Sequence, residues 1–291
     1  MKRLLVTGDD FGLAPEVNEA IETAHRQGIL RTASLMVAGA AAADAVSRAK
    51  RMPELGVGLH LVLVEGRPTL PPEAVPDLVD EDGNFLEEFV RAGFRFFFLP
   101  RARRQLAREI RAQFEAFQAT GLPLDHVNAH NHMHLHPTIL RLLLEIGREF
   151  GLRAVRLPRE FASRDTRAAG IRAAARRLGD AGLSPFIRLL RQRLVRAGAL
   201  GNDYVLGLHE TGYMDEATVL RLLENLPEGT TEMYFHPAKG HCAEIERVSP
   251  GTRYNAELDA LLSPRVRDRL RTLGVEPMRF ADLQPGDAQG D

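Results

Sequence analysis

The chain has 291 residues, 44 % of them apolar, and a formal net charge of −1, the composition of a soluble globular protein with a sizeable core. That balance gives no electrostatic case for a nucleic-acid partner, and with Cys242 as the single cysteine there is no disulfide framework and no Cys-rich zinc knuckle. The opening MKRLLVTGDDFG has too few apolar residues before its aspartates to match the about 7–15 of a signal-peptide core. No stretch approaches the roughly 18 apolar residues of a spanning helix, so a cytoplasmic protein is expected.

The first predicted strand, RLLVTG (3–8), leads into a helix over 15–28, PEVNEAIETAHRQG. Pro15 stands at a favourable first position, Gly28 lies past the end, and Val17, Ala20, Ile21 and Ala24 share one face. Strands follow at 32–39 (TASLMVAG) and 56–63 (GVGLHLVL). Residues 64–100 form an insertion, a Pro-rich loop closing in FRFFFLP. Next come a helix over 103–121, with Leu106, Ile110, Phe114 and Phe117 at helical spacing, a strand at 124–130 and a helix at 137–151. After a strand at 153–158, a second insertion spans 160–200. Between Arg153 and Arg196, twelve arginines stand against Glu160, Asp165 and Asp180. The last strands are 203–209, 231–237 and 276–280.

These strands read as continuous apolar runs, the pattern of a parallel sheet buried on both faces. Seven or eight βα units predict an α/β fold, a TIM-like (β/α) barrel, complete or irregular, forming one domain over 1–291 with helical insertions. A doubly wound open sheet is the alternative.

Chemistry concentrates where strands end, as barrel active sites require. Five of the ten histidines (His126, His130, His132, His134, His136) fall in HVNAHNHMHLHP, residues 126–137. The first strand ends in Asp9-Asp10, the third carries His60, the fourth ends at His130 and the seventh at His236-Pro237. Two imidazoles and a carboxylate occupy about half of a divalent ion's positions and leave room for substrate. A second carboxylate beside the ion can take a proton from water, and a histidine on the opposite wall can protonate a leaving amine. Each feature has a plainer reading: His60 as a core histidine, Asp9-Asp10 as a turn with a helix cap, the histidine run as a surface tract. The run, however, is set between an apolar strand and a helix opening at Pro137. His126, inside the strand, is expected to be structural. His132 and His134 are expected beside the ion or facing substrate, since one ion has room for only one or two of the run. His209 and His241 carry no expected role, and no phosphate-cradling glycine fingerprint is present.

TGDDFGLAPEVNEAI, GVGLHLVLVEG, LDHVNAHNHMHLHP, RAVRLPRE and EMYFHP, in order from residue 3 to about 240, resemble the signature blocks of the YdjC/ChbG-like carbohydrate deacetylases. The resemblance implies a barrel hydrolase that removes acetyl from an N-acetylated sugar with one divalent metal ion: magnesium or zinc first, manganese or cobalt next. By matched position it implies Asp10, His60 and His130 as ligands, Asp9 as general base and His236 as acid. Arg156 would orient Asp9 or bind substrate, and His132, His134 and Glu232 would bind or orient substrate. LMVAGAAAADAV, VLVEGRPTLPPEAVPDLVDEDG and RRQLAREIRAQFEAFQATGLPLDHVNAHNHMHLHPT are similar to the subgroup associated with hopanoid biosynthesis, which implies an N-acetylglucosaminyl hopanoid as substrate. One departure is His136, where some relatives carry an aromatic. Alternatives are a chitooligosaccharide deacetylase, another metal-dependent amidohydrolase or phosphoesterase, and a metal-stabilised scaffold.

A lipid-linked substrate suggests peripheral contact with the inner membrane surface. In PFIRLLRQRLVRAGA, Phe186, Ile187, Leu190 and Leu194 fall near helical spacing, with Arg188, Arg191, Arg193 and Arg196 around them. FRFFFLP is a second candidate for that contact. The plainer reading is a core-facing helix with a solvated basic side. A homodimer is also admissible.

Overall fold

The computed structural model describes residues 1–160, 187–241, 243–248 and 250–285, without the side chains of 89–91. Phe186 and the part of the arginine-rich insertion over 161–186 lie outside the described residues.

Strand β1 (Lys2–Phe11) is the centre of the sheet. It pairs in parallel with β6 (Gly229–Phe235), from Lys2↔Gly229 to Gly8↔Phe235, and on its other side with β2 (Thr32–Leu35). With β3 (Gly56–Leu61), β4 (Val127–Ala129) and β5 (Tyr204–Leu206), the order is β4-β3-β2-β1-β6-β5, and β7 (Pro277–Met278) pairs with β1. Every ladder among the described residues is parallel. The connecting helices are α1 (Pro15–Gln27), α2 (Ala42–Ala49), α3 (Phe89–Phe98), α4 (Pro100–Ala119), α5 (Pro137–Gly147), α6 (187–196), α7 (Glu216–Glu224), α8 (Ala243–Val248), α9 (Tyr254–Leu262) and α10 (Pro264–Leu273). Among the described residues, no helix is long and apolar enough to cross a membrane.

The result is an α/β half-barrel, the irregular form of the expected TIM-like barrel rather than the complete one. Regular ladders stop at β4 on one edge and β5 on the other. Residues 153–158, expected as a full strand, contribute only isolated bridges, Val127↔Val155 and Ala154↔Leu200, with Glu160↔Val205 just beyond. Pro158 has no N–H to donate, and a ladder cannot run through it. The strand expected at 276–280 shrinks to two residues, with Pro277 imposing the same limit.

The 64–100 insertion differs too. FRFFFLP belongs mostly to a helix, α3, which buries Ala92 and Phe96 and leaves Phe94, Phe97 and Phe98 outside. The loop before it is tied down by one row of α4. Gln113 accepts from Val62 N–H, Glu109 from Thr69 and Leu70 N–H, and Gln105 from Asp77 N–H. Spacing of four residues puts these acceptors on one helix face, where they satisfy backbone donors that would otherwise be buried without partners.

Alternate strand residues point to opposite faces of the sheet. At the amino-terminal end of the strands, Leu5, Ala154, Phe280 and Leu283 form a small apolar plug. Toward the carboxyl ends the enclosed side chains are polar and buried: Thr7, Asp9, Thr32, Ser34, His60, Asn128, Arg156 and Glu232. Space for them comes partly from glycine. A Cβ on Gly58 would stand 2.5 Å from Nδ1 of His126, the ring stacked on Phe280 at 4.3 Å. His126 also bonds Asp125 at 2.9 Å, in keeping with the structural role expected for it.

Candidate metal centre and active site

The end of β1 lets neighbouring aspartates serve one site. Its register against β2 breaks between Gly8 and Phe11, and Asp10 takes a left-handed backbone with φ 62°. That conformation is costly for a non-glycine residue and persists only where the surroundings enforce it.

Asp10 Oδ1 lies 3.2 Å from His60 Nε2 and 3.5 Å from His130 Nδ1, and the two ring nitrogens are 3.3 Å apart. All three residues are buried, and among the described residues theirs is the one such group of metal-ligating side chains. Asp10 Oδ1 has no hydrogen-bond partner although it is fully enclosed. A buried carboxylate oxygen without a donor is expensive unless something positive meets it. One oxygen and two imidazole nitrogens fit a divalent metal ion.

The ligand orientations are fixed from behind. Asn128 Oδ1 lies 2.7 Å from His60 Nδ1, and an amide oxygen only accepts. His60 Nδ1 therefore carries the hydrogen, and Nε2 turns a lone pair toward Asp10 and His130. On the far side of His130, Nε2 faces Glu65 Oε2 at 3.6 Å, and Asn131 Nδ2 donates to the same oxygen at 2.8 Å. Burial opposes charge on His130, yet Asp10 and Glu65 raise it to about 9. Burial would likewise raise Asp10, but His130 and His60 hold it well below the usual carboxylate range.

Asp9 faces a different set of donors. Arg156 Nη1 and Nη2 reach its two oxygens at 2.5 and 3.0 Å, Ser34 Oγ donates to Oδ1 at 2.7 Å and Asn128 Nδ2 at 3.0 Å. Arg156 also grips Glu232 through Nε and Nη2, and Thr7 Oγ1 donates to Glu232 at 2.6 Å. The guanidinium is fully buried, 4.7 Å from the centre of the Tyr234 ring. Burial pushes Asp9 up, but the arginine outweighs it and keeps the carboxylate ionised far into acid. Arg156 thus touches Asp9, and Glu232 lies beneath it, 0 % exposed.

The His132 and His134 rings lie edge-on to one another at 6.0 Å. His132 Nε2 is 3.3 Å from Tyr234 Oη, which is 2.5 Å from Thr211 Oγ1. Burial, then the nearby Arg156 charge, holds both rings neutral, His134 down to about 3. His236 is half-buried after β6. Its backbone N–H donates to Glu257, and its ring is edge-on to Tyr234 at 5.7 Å. Asp9, Asp10 and His236 share a narrow crevice with Leu13, Val17, Ile245 and Tyr254. Leu13 and Glu65 also line an adjoining groove of about 480 Å³ whose other walls include Met36, Val62 and Val248.

Ser34, Asn128 and Glu65 carry the orientation of the site without having been singled out in the sequence. The one signal available was parity: Asn128 precedes His130 by two residues and so shares its side of the strand.

The profile of the YdjC-like protein family matches residues 3–272. A carbohydrate deacetylase from Brevibacillus brevis is 39 % identical over 57 % of this chain, a match spanning 63 % of that protein. One from Mus musculus is 31 % identical over 98 % of this chain and 97 % of its own. The crystal structure of a putative cellobiose-phosphate cleavage protein from Enterococcus faecalis superposes with a TM-score of 0.75 and 24 % identity, covering 98 % of this chain and 99 % of that one, and so shares its fold. With the profile matched over most of its length and a relative 31 % identical along nearly all of it, this chain belongs to the YdjC-like protein family.

Proposed function

We infer that the protein is a metal-dependent hydrolase of an amide C–N bond that removes acetate from an N-acetylated amino sugar, working as one catalytic domain over 1–291. The relatives' shared name, carbohydrate deacetylase, supports the class of reaction. The observation that carries the reading is the convergence of Asp10, His60 and His130 within hydrogen-bond distances of one another beside the Asp9 carboxylate.

These three residues would hold the ion. When bound, it would acidify water and polarise the acetyl carbonyl. Two imidazole nitrogens and one carboxylate oxygen suit zinc better than magnesium, which prefers oxygen donors, so zinc would be the first ion to test, ahead of magnesium, manganese and cobalt. Asp9 accepts the proton of the attacking water through Oδ2, which has a single donor, Arg156. Arg156, braced by Glu232, fixes that carboxylate in place. His236, across the crevice, gives a proton to the departing nitrogen. Water adds to the carbonyl carbon, the C–N bond breaks, and acetate and a free amine leave. His132 and His134, held neutral, add no charge beside Arg156 and Asp9.

For the acceptor, we favour an N-acetylglucosaminyl hopanoid over a chitooligosaccharide. Among the described residues the groove beside the metal residues has Leu13, Met36, Val62 and Val248 on its walls and no aromatic ring, an apolar lining that suits an aliphatic skeleton, while Glu65, Arg67, Asn84, Glu244 and Arg247 give it a polar margin for the sugar.

Acetate release from a glucosaminyl lipid and from chitobiose, measured with the metal content of the same preparations, tests the reading. Asp9→Asn should keep the ion and lose nearly all turnover, and His130→Ala should lose both. Full activity in Asp9→Asn would remove Asp9 as the base. Faster release from chitobiose than from the lipid would overturn the acceptor.

A further inference from the structure

The last turns of α3 do something unusual for a soluble exterior. Phe94, Phe97, Phe98 and Leu99 are 65, 50, 56 and 46 % exposed, and the rings touch, Phe94 to Phe98 at 4.4 Å and Phe97 to Phe98 at 4.8 Å. Single exposed apolar residues need no explanation, but a contiguous aromatic cluster marks an interaction site. The helix is anchored from its other side, where Phe96 is buried edge-on to His136 at 6.3 Å. The cluster is therefore held out rigidly.

Its surroundings are basic. Between Glu88 and Glu109 the sequence contains six arginines and no acidic residue. Arg101 and Arg104 are exposed. The acids lying against them are Asp77, 3.0 Å from Arg101 Nε, and Glu73, which lines the same hollow as Arg101, Arg104 and Arg108. Glu87 and Glu88 are exposed at the amino end of α3, so six arginines stand against four acids, and a positive excess remains beside the apolar tip.

We propose that α3 is a membrane-docking element: Phe94, Phe97, Phe98 and Leu99 enter the interface of an anionic lipid bilayer while the flanking arginines meet its headgroups. Aromatic residues beside cationic ones are the composition that interfacial helices use. A second copy of this chain fits less well. The four side chains offer on the order of 400 Å², about half of what a standard interface buries per partner. A symmetric contact through α3 would also bring two arginine clusters together. α3 lies against the start of α5, the helix that follows the turn carrying His130: Phe97 is 6.2 Å from the His136 ring, and Gly93 approaches the same ring. Docking there holds the metal residues close to the lipid surface. The proposal does not depend on which acceptor is hydrolysed.

The chain has no tryptophan, so F98W places a single emitter at the tip. On vesicles containing phosphatidylglycerol, F98W emission should shift to the blue and be quenched by brominated lipid, with little change on pure phosphatidylcholine. In sedimentation with the same vesicles, F94S/F98S should partition at least tenfold more weakly than the unmodified protein. R103E/R104E should lose most of the binding seen at low salt. Both variants should keep the unfolding midpoint, since none of the four residues is in the core. Unshifted F98W emission, an unmodified protein that stays in the supernatant at low salt, or equal partition of F94S/F98S would each overturn the proposal. So would a dimer in sedimentation velocity that F94S/F98S dissolves while vesicles bind nothing.

Discussion

At the scale of residues, the candidate site divides between the groups proposed for the chemistry and the groups that hold them. Asp9, Asp10, His60, His130 and His236 stood out in the sequence because carboxylates and imidazoles coincide at several strand ends, and the fold brings Asp10, His60 and His130 together. Ser34, Asn128 and Glu65 were not, because serine, asparagine and glutamate are ordinary at such positions. Asn128 joins both halves of the site, receiving His60 Nδ1–H and donating to Asp9. Asn128→Ala should therefore weaken ion binding about 10- to 100-fold, the usual cost of removing a group that orients a ligand, as read by competition with a chelator. Arg156 sits between two buried carboxylates. Arg156→Met would leave both without a counter-charge, with only the neutral donors Ser34, Asn128 and Thr7, and should cost about 3–5 kcal/mol in denaturant unfolding.

Elements were read with uneven success, for identifiable reasons. α1, α4 and α5 appear close to where apolar spacing and Pro/Gly punctuation predict them, since those signals are local. α3 hid in FRFFFLP, four phenylalanines in seven residues, where helix and strand look alike until the partner surface is known. α6 resolves an ambiguity: it buries Ile187, Leu190 and Leu194 in the core and leaves Arg188, Arg193 and Arg196 outside, the pattern of a core-facing helix. α7 begins with Asp215, whose side chain accepts from Thr218 N–H at 2.9 Å. That bond first, with others, lowers the carboxyl from 3.8. A lowered folded-state value stabilises above the unfolded one and is lost as pH falls through it. Asp215→Ala should cost about 1 kcal/mol at neutral pH in thermal unfolding, and its difference from the unmodified protein should close as the pH drops below about 3.8.

For the whole molecule, a bound ion would couple folding to the site. Asp10 and His60 lie on β1 and β3 and His130 opens the turn after β4, positions that the unfolded chain does not hold together, so an ion would bind the folded form alone. At a free concentration near 1,000 times its dissociation constant, it should add about 4 kcal/mol, raising the unfolding midpoint of chelator-treated protein. In His130→Ala the same addition should give little or no shift.

The sequence by itself determined the class of the fold, the order of most elements and the residues capable of metal chemistry, because periodicity, turn residues and side-chain type are properties of short stretches. Only the tertiary structure decided that the ladders stop at β4 and β5, that Asp10 turns left-handed, and that Arg156 spans Asp9 and Glu232. Those outcomes rest on contacts between positions far apart in the chain: Asp9 meets Asn128 across 119 residues and Arg156 across 147. Nothing in a local window encodes such a meeting. It is settled when burial makes an unpaired charge costly, and this arrangement sets Arg156 between Asp9 and Glu232.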